Sequence, residues 1–309
     1  MSDRLHVAFV TPEMAPFVKT GGLADISGAL PKALARLGHR VTVVLPRYGS
    51  IGFPPGEFSG SVHVPVDGLP RSAGYYRTRT EAGVDVVFVE FPPFYDRPVL
   101  YGDYEDNRLR FAFLARAALE YFRSRGERPS VFHAHDWQTG LVPVYLKSFY
   151  WDDPTLHRMP SVFTIHNVAY QGIFGREVLP ALDLPWDVFT GEGLEFWNNV
   201  SFLKAGINCS EIVTTVSRRD AQEIQTAEQG FGFENGGAHD FKTGFGEGSA
   251  GLDHIGNDVG DTQLDTDFHG SVQFDDFRFD FSRGHILANQ VGVGCGNAQT
   301  LEGSGNKGA

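Results

Sequence analysis

Several things are scarce in these 309 residues, and each scarcity narrows the function. There are two cysteines, Cys209 and Cys295, far apart and without metal-ligand spacing. A reduced, cytoplasmic location is the economical expectation. No run approaches the roughly 18 apolar residues of a membrane span, and the N-terminus lacks the charged-then-apolar pattern of a signal peptide, so no membrane partner is expected. Basic charge is also short. With 26 Lys and Arg against 38 Asp and Glu the formal charge is −12, which argues against a nucleic-acid partner.

The scarcities are unevenly placed. Residues 230–309 contain no Pro, Tyr, Trp or Met, and hold 4 basic against 12 acidic residues. They also carry 18 of the 37 glycines, whereas residues 1–229 are near balance, with 22 basic against 26 acidic. The length allows about two domains. The break in composition divides the chain into 1–234 and a Gly/Asp-rich tail, 235–309.

What is present in the first part is an alternation of strands and helices. Leu5–Val10 reads as a buried strand, and Ser27–Leu37 as an amphipathic helix ending at Gly38. Arg40–Leu45 is a β-branched second strand, which completes a right-handed βαβ unit. Ser61–Val66 and Val84–Phe91 suggest a hairpin or sheet edge, and Asn107–Arg123 repeats Leu, Phe and Ala at helical spacing. Ser130–Ala134, Pro160–Ile165 and Glu211–Val216 are three more strand-like runs, each followed by polar residues and a helix-capable segment. The pattern predicts an α/β fold with a doubly wound parallel sheet, whose functional residues collect beyond the carboxyl ends of the strands.

That rule picks out Glu13 and Lys19 after the first strand, and His133, His135 and Asp136 at the end of Ser130–Ala134. It also picks out His166 and Asn167 after Pro160–Ile165, and Ser217 after Glu211–Val216. Each alone is compatible with a helix cap or a satisfied core group; together they favour a site. Lys19-Thr20-Gly21-Gly22-Leu23 lies between a strand and a helix-like segment starting near Asp25. Two glycines let backbone N–H groups approach an anion, the helix end adds positive partial charge, and the lysine a formal one. The string is neither a Walker A motif nor Gly-x-Gly-x-x-Gly. Spacing alone leaves two readings, a phosphate cradle and an ordinary βα turn.

Six groups of strings carry a resemblance. They are Thr11-Pro12-Glu13-Met14 with Lys19 to Asp25; Tyr95-Asp96-Arg97-Pro98; His133-Ala134-His135-Asp136-Trp137; Thr164 to Gly172; Phe202-Leu203-Lys204-Ala205-Gly206; and Thr215-Val216-Ser217 with Glu223-Ile224-Gln225-Thr226. In this order, residues 5–234 closely resemble the N-terminal domain of bacterial glycogen synthases and plant starch synthases, retaining glucosyltransferases of GT-B fold. The resemblance implies transfer of glucose from ADP-glucose to the non-reducing end of an α-1,4-glucan such as glycogen, without a metal or other cofactor. It implies that Lys19, Gly21, Gly22, Asp25 and Asn167 bind the donor. His166 would lie against the transferred glucose and Asp136 on the acceptor side, the two forming the catalytic pair. Glu13, Tyr95, Trp137 and Tyr170 would face the acceptor, although core packing is an equal alternative for the aromatic rings taken singly.

The family pattern stops soon after Glu234. The Asn-Gly-Val-Asp and Glu-Pro-Cys-Gly-Leu strings that the family places in a second domain do not occur in the sequence. The tail is expected to be irregular, with one strand or hairpin arm within Gln273–Ser282, and the Gly/Asp stretch 251–261 has no calcium-binding repeat. A shifted reading frame or truncated gene is the favoured account of the tail, against a natural disordered extension. On this reading the chain alone has little synthase activity. The competing functions are a non-catalytic α-glucan-binding module and a sugar-nucleotide sensor.

Overall fold

The computed structural model describes residues 4–53 and 55–232, with three short strands at 271–274, 277–280 and 285–288. The main sheet contains β1 (His6–Val10), β2 (Arg40–Pro46), β3 (Glu57–Val66), β4 (Leu69–Arg79), β5 (Asp85–Glu90), β6 (Val131–His135), β7 (Ser161–Ile165) and, later in the chain, β11 (Ile212–Thr215). Its order is β11-β7-β6-β1-β2-β5-β4-β3. The first six of these strands are mutually parallel. The central ones are nearly continuous apolar runs, Val7–Val10 and Val41–Leu45 being buried throughout, with Thr42 the one polar residue among them. Such runs are required where helices cover both faces of a sheet.

Of the two alternatives for 61–66 and 84–91, the sheet edge holds, β3 being the edge strand, whereas the two runs do not form a hairpin with each other. β4 lies between the two, antiparallel to both β3 and β5. Only Ala73 and Tyr75 of β4 are buried, so its apolar signal is thin. The turn into it is Asp67-Gly68, both at positive φ (60° and 63°), the twist that a two-residue hairpin loop demands.

Helix α1 (Gly22–Arg36) joins β1 to its neighbour β2, whereas α3 (Asn107–Arg123), after the single turn α2 (Pro92–Tyr95), leads to β6 on the other side of β1. Right-handed crossovers then put α1 and α3 on opposite faces. The order reverses between β1 and β6, and in doubly wound sheets that switch point opens a crevice at the carboxyl ends. The interior of α3 is tied down by two buried arginines. Arg110 donates to the Phe94 and Leu100 carbonyls and to Asn107 Oδ1, and Arg116 pairs with Asp183 at 2.7 Å.

Helices α4 (Leu141–Lys147), α5 (Phe202–Cys209) and α6 (Arg218–Glu223) complete this part. A small antiparallel sheet of β8 (Ile173–Gly175), β9 (Glu195–Phe196) and β10 (Asn199–Ser201) sits beyond β7. In the tail, β12 (Ser271–Phe274), β13 (Phe277–Asp280) and β14 (His285–Ala288) form an antiparallel sheet of their own. The hairpin arm expected within 273–282 is therefore part of a three-stranded sheet. The Gly/Asp stretch 251–261 and Cys295 lie outside the described residues.

Candidate active site

The loop after β1 is pinned to α1. Thr11 Oγ1 donates to the Glu13 carbonyl at 2.9 Å and lies 2.9 Å from Ser27 Oγ, while Ala15 N–H donates to the Ala24 carbonyl. Gly28 permits this approach, since a Cβ there would lie 2.8 Å from the Ala15 oxygen. The helix begins at Gly22, earlier than the sequence suggested, and its N-cap residue Gly21 makes no side-chain cap. The first N–H groups of a 15-residue helix are thereby left to a partner from outside. Gly21, at φ −152° and ψ −164°, has an extended backbone open to any residue. A Cβ at Gly21 or Gly22 would meet nothing within 4 Å. Neither backbone geometry nor packing demands glycine there; Gly21 N–H is bonded to the Glu13 carboxylate, and the open space beside the first N–H groups of the helix is what an anion needs.

Lys19 guards this space. Its Nζ lies 2.7 and 2.8 Å from the two carboxylate oxygens of Asp25, in a pair about half exposed on each side. Exposed pairs contribute less than about 1 kcal/mol, so Lys19 exchanges Asp25 for another anion at little cost. Glu13 is buried beneath the loop, accepting from Thr20 N–H at 2.5 Å and Thr20 Oγ1 at 2.8 Å. Burial pushes its carboxyl above the ordinary range, with the Thr20 bonds opposing.

Across the switch point stands Asp136, at φ 56° and ψ 176°. This region is almost confined to glycine, and holding another residue there costs roughly 1–3 kcal/mol. The surroundings fix it: its N–H donates to the Thr164 carbonyl, its carbonyl accepts from Thr139, and Oδ1 accepts from His166 N–H at 2.7 Å and Asn167 N–H at 3.3 Å. Burial pushes its carboxyl up to about 7, the two N–H bonds oppose this, and the neighbouring charge of Glu13 adds to it.

His166 is half-buried at the end of β7, with Nε2 3.0 Å from His135 Nδ1. Burial holds its imidazole down to about 4, and that of His133 down to about 3. Both rings are therefore neutral at pH 7. His133 Nε2 lies 2.7 Å from Thr164 Oγ1, which is 2.7 Å from Thr214 Oγ1, so His133 belongs to a chain of hydroxyls across the sheet. Asn167 is exposed, its Oδ1 accepting from Ala169 N–H at 3.0 Å.

The structure thus gathers Glu13, Lys19, Gly21, Gly22 and Asp25 on one loop, and Asp136, His166 and Asn167 on the ends of the next two strands. It does not bring Tyr95 to the surface. That ring is fully buried among Tyr48 and Phe113, and its hydroxyl donates to the Arg110 carbonyl at 2.9 Å. Trp137 is a half-buried wedge among Phe111, Phe174 and Phe202. Gly172 at φ 58° passes so close that a Cβ would lie 2.3 Å from its ring, so Trp137 shapes the loop 166–172 from below. Tyr170 is 66% exposed, with a free ring face. Ser217 caps α6 through Asp220 N–H.

Two residues of the site were missed from sequence. The Tyr48 hydroxyl is buried without a hydrogen-bond partner among the described residues, that of Tyr101 is buried beside Thr20, and both feel the charge of Glu13, Tyr101 that of Asp136 also. Tyr48 lies two residues past β2, so the strand-end rule was able to reach it; Tyr101 sits in an irregular loop with no periodic signal. Among the described residues no group of three or more His, Cys, Asp or Glu is arranged to hold a metal ion, and no helix is long and apolar enough to cross a membrane.

This geometry can be set beside known proteins. The family described as starch synthase catalytic domain matches residues 6–237. A glycogen synthase of Koribacter versatilis is 47% identical over 235 residues, covering 74% of this chain and 48% of the relative. One from Myxococcus xanthus is 44% identical over 251 residues, covering 74% and 50%. The catalytic domain of starch synthase IV from Arabidopsis thaliana, solved bound to ADP and acarbose, superposes with a TM-score of 0.70 at 33% identity, over 75% of this chain and 48% of that one. The chain spans about half the length of the curated relatives it matches. Agreement in sequence and in fold over three quarters of its length makes this chain a member of the glycogen and starch synthase family, through that family's catalytic domain.

Proposed function

We propose that residues 6–232 form one wall of a site that transfers glucose from ADP-glucose to the non-reducing end of an α-1,4-glucan with retention of configuration. The observation that carries this reading is the uncapped start of α1, with open space at Gly21 and Gly22, on the same rim as Asp136 and His166. The donor diphosphate meets the α1 N–H groups and Lys19, which leaves Asp25 to take it. Charge that develops on the leaving diphosphate is stabilised by these preorganised donors. His166, neutral and held by His135, lies against the sugar, and Asn167 flanks it. Asp136 presents Oδ2 toward the acceptor, because Oδ1 is already committed to two backbone N–H groups. Tyr170 offers a stacking face for a glucan ring. The ADP and acarbose carried by the Arabidopsis relative support both halves of this assignment.

Isothermal titration of ADP-glucose into the purified chain tests the donor half. Binding that weakens about tenfold in Lys19→Ala supports it, a loss of about 1.4 kcal/mol. Equal binding by the variant, or no binding by either protein, overturns it. Retention on a glycogen column with no turnover would instead favour the glucan-binding module.

A further inference from the structure

We propose that His135 is a positioning residue that fixes the tautomer of His166, donating its Nδ1–H to His166 Nε2 so that His166 turns an Nδ1–H donor toward the crevice. The inference rests on the reading above only for its consequence; the proton assignment stands on geometry. His135 is fully buried at the end of β6, stacked on Phe9 at 4.0 Å between ring centroids and 29° between planes, with His133 4.1 Å away on its own centroid. Its Nδ1 lies 3.0 Å from His166 Nε2, and its Nε2 is buried with no partner among the described residues.

One proton is shared between the two facing nitrogens, so two arrangements exist. If His166 donates, His135 carries its proton on Nε2, an N–H enclosed without an acceptor. The near-parallel stack on Phe9 keeps that N–H in the plane of the ring, away from the aromatic face that would otherwise accept it. If His135 donates, only an unprotonated nitrogen is left unpaired. Orphaned buried N–H groups are the rarer defect in folded proteins. A second donor on the pair would require a cationic imidazole, which this enclosed, apolar setting disfavours.

His135 therefore carries Nδ1–H. His166 accepts at Nε2 and carries its own proton on Nδ1, which has no partner among the described residues and is not enclosed by them. Free imidazole side chains favour the opposite tautomer, with Nε2–H, so the buried ring imposes a choice that His166 would not make alone. The consequence is directional: His166 meets a sugar oxygen as a donor. A bond of the same length in the opposite sense would present a lone pair instead.

Long-range 1H–15N correlation spectra of the histidine rings of the purified chain at neutral pH decide the matter. The expected spectrum has His166 protonated at Nδ1 and unprotonated at Nε2, and in His135→Phe, which keeps the stack on Phe9, His166 shifts to the Nε2–H form. His166 protonated at Nε2 in the wild type overturns the proposal, as does an unchanged His166 in a folded His135→Phe. Should that variant fail to fold, the wild-type spectrum alone reports which ring holds the proton. Donor binding does not enter this readout. Failure to bind ADP-glucose would remove the functional reading and leave the tautomer assignment, whereas binding with His166 protonated at Nε2 would do the reverse.

Discussion

Asp136 concentrates opposing demands in one residue. Its backbone occupies a region costly for anything but glycine, and its carboxyl is buried yet anchors the N–H groups of the next strand end. The pH dependence follows from its direction of shift. An ordinary Asp value of 3.8 raised to about 7 means that folding takes up a proton between about pH 4 and 7. The contribution of Asp136 is then fully present below pH 4 and is lost as pH rises through 7. The histidines act in the opposite sense. His6 and His166 are lowered to about 4 and His133 to about 3, so their contribution is present above 6.5 and lost as pH falls through 4. Asp136→Asn removes only the first effect. The variant should gain on the wild type as pH rises from 4 to 8, by up to about 4 kcal/mol, and should lose stability more steeply on acidification. Urea unfolding midpoints of both proteins at pH 4.5, 6 and 8 check this; parallel curves would refute it.

At the scale of the element, the loop from β1 into α1 separates glycines kept for binding from one kept for packing. Gly22→Ala adds a methyl group into open space at the start of a helix. Stability should hold or rise by up to about 0.5–1 kcal/mol, while ADP-glucose affinity falls about tenfold because the methyl group occupies the cradle. Gly28→Ala drives a Cβ to 2.8 Å from the Ala15 carbonyl oxygen, which belongs to backbone and cannot rotate away. It should destabilise the fold by about 1–3 kcal/mol, as overpacking does. Thermal unfolding with calorimetric titration separates the two outcomes, and a Gly22→Ala protein that binds normally would show that the cradle is empty of function. The same elements show what the sequence could reveal. Buried parallel strands such as β1 and β2 were legible because both faces are covered and the runs stay apolar. The strand β4 was not, since one face is exposed and only Asp67-Gly68 marks its turn. The β9–β10 hairpin turns at Trp197-Asn198, both at positive φ without a glycine, and so offered no local sign. Within the site, strand ends located Glu13, Asp136 and His166, because topology alone converges them. The burial of Tyr95 and the inward hydroxyls of Tyr48 and Tyr101 depend on how the 91–110 segment folds over α3, which no local pattern encodes.

For the whole molecule, the described residues place Glu13, Lys19, Asp136, His166 and Asn167 beyond the strand ends on one rim of a single sheet. Lys19, Asn167 and Tyr170 face outward from it with half or more of their surface open or without a covering element. A sugar nucleotide resting on such a wall keeps water on its other side. Preorganised donors lose much of their strength in that setting, since an exposed charge interaction is several-fold weaker than an enclosed one. Orientation suffers as well. Holding two reactants in register is worth effective molarities of about 10⁵–10⁸ M, and one wall fixes the donor without fixing the acceptor against it. Loss of a single stabilising donor in an enclosed site costs on the order of 10²–10³ in turnover, and the described candidate groups approach from one wall. Glucan elongation by this chain with ADP-glucose and glycogen should therefore run at least about 10³-fold below that of the Koribacter versatilis glycogen synthase, of which the match covers 48%, assayed in parallel. Binding of ADP-glucose should persist at reduced affinity, because the α1 start and Lys19 are intact. Incorporation of labelled glucose into precipitable glycogen measures the first quantity, and calorimetry the second. Turnover within tenfold of the relative would refute this expectation.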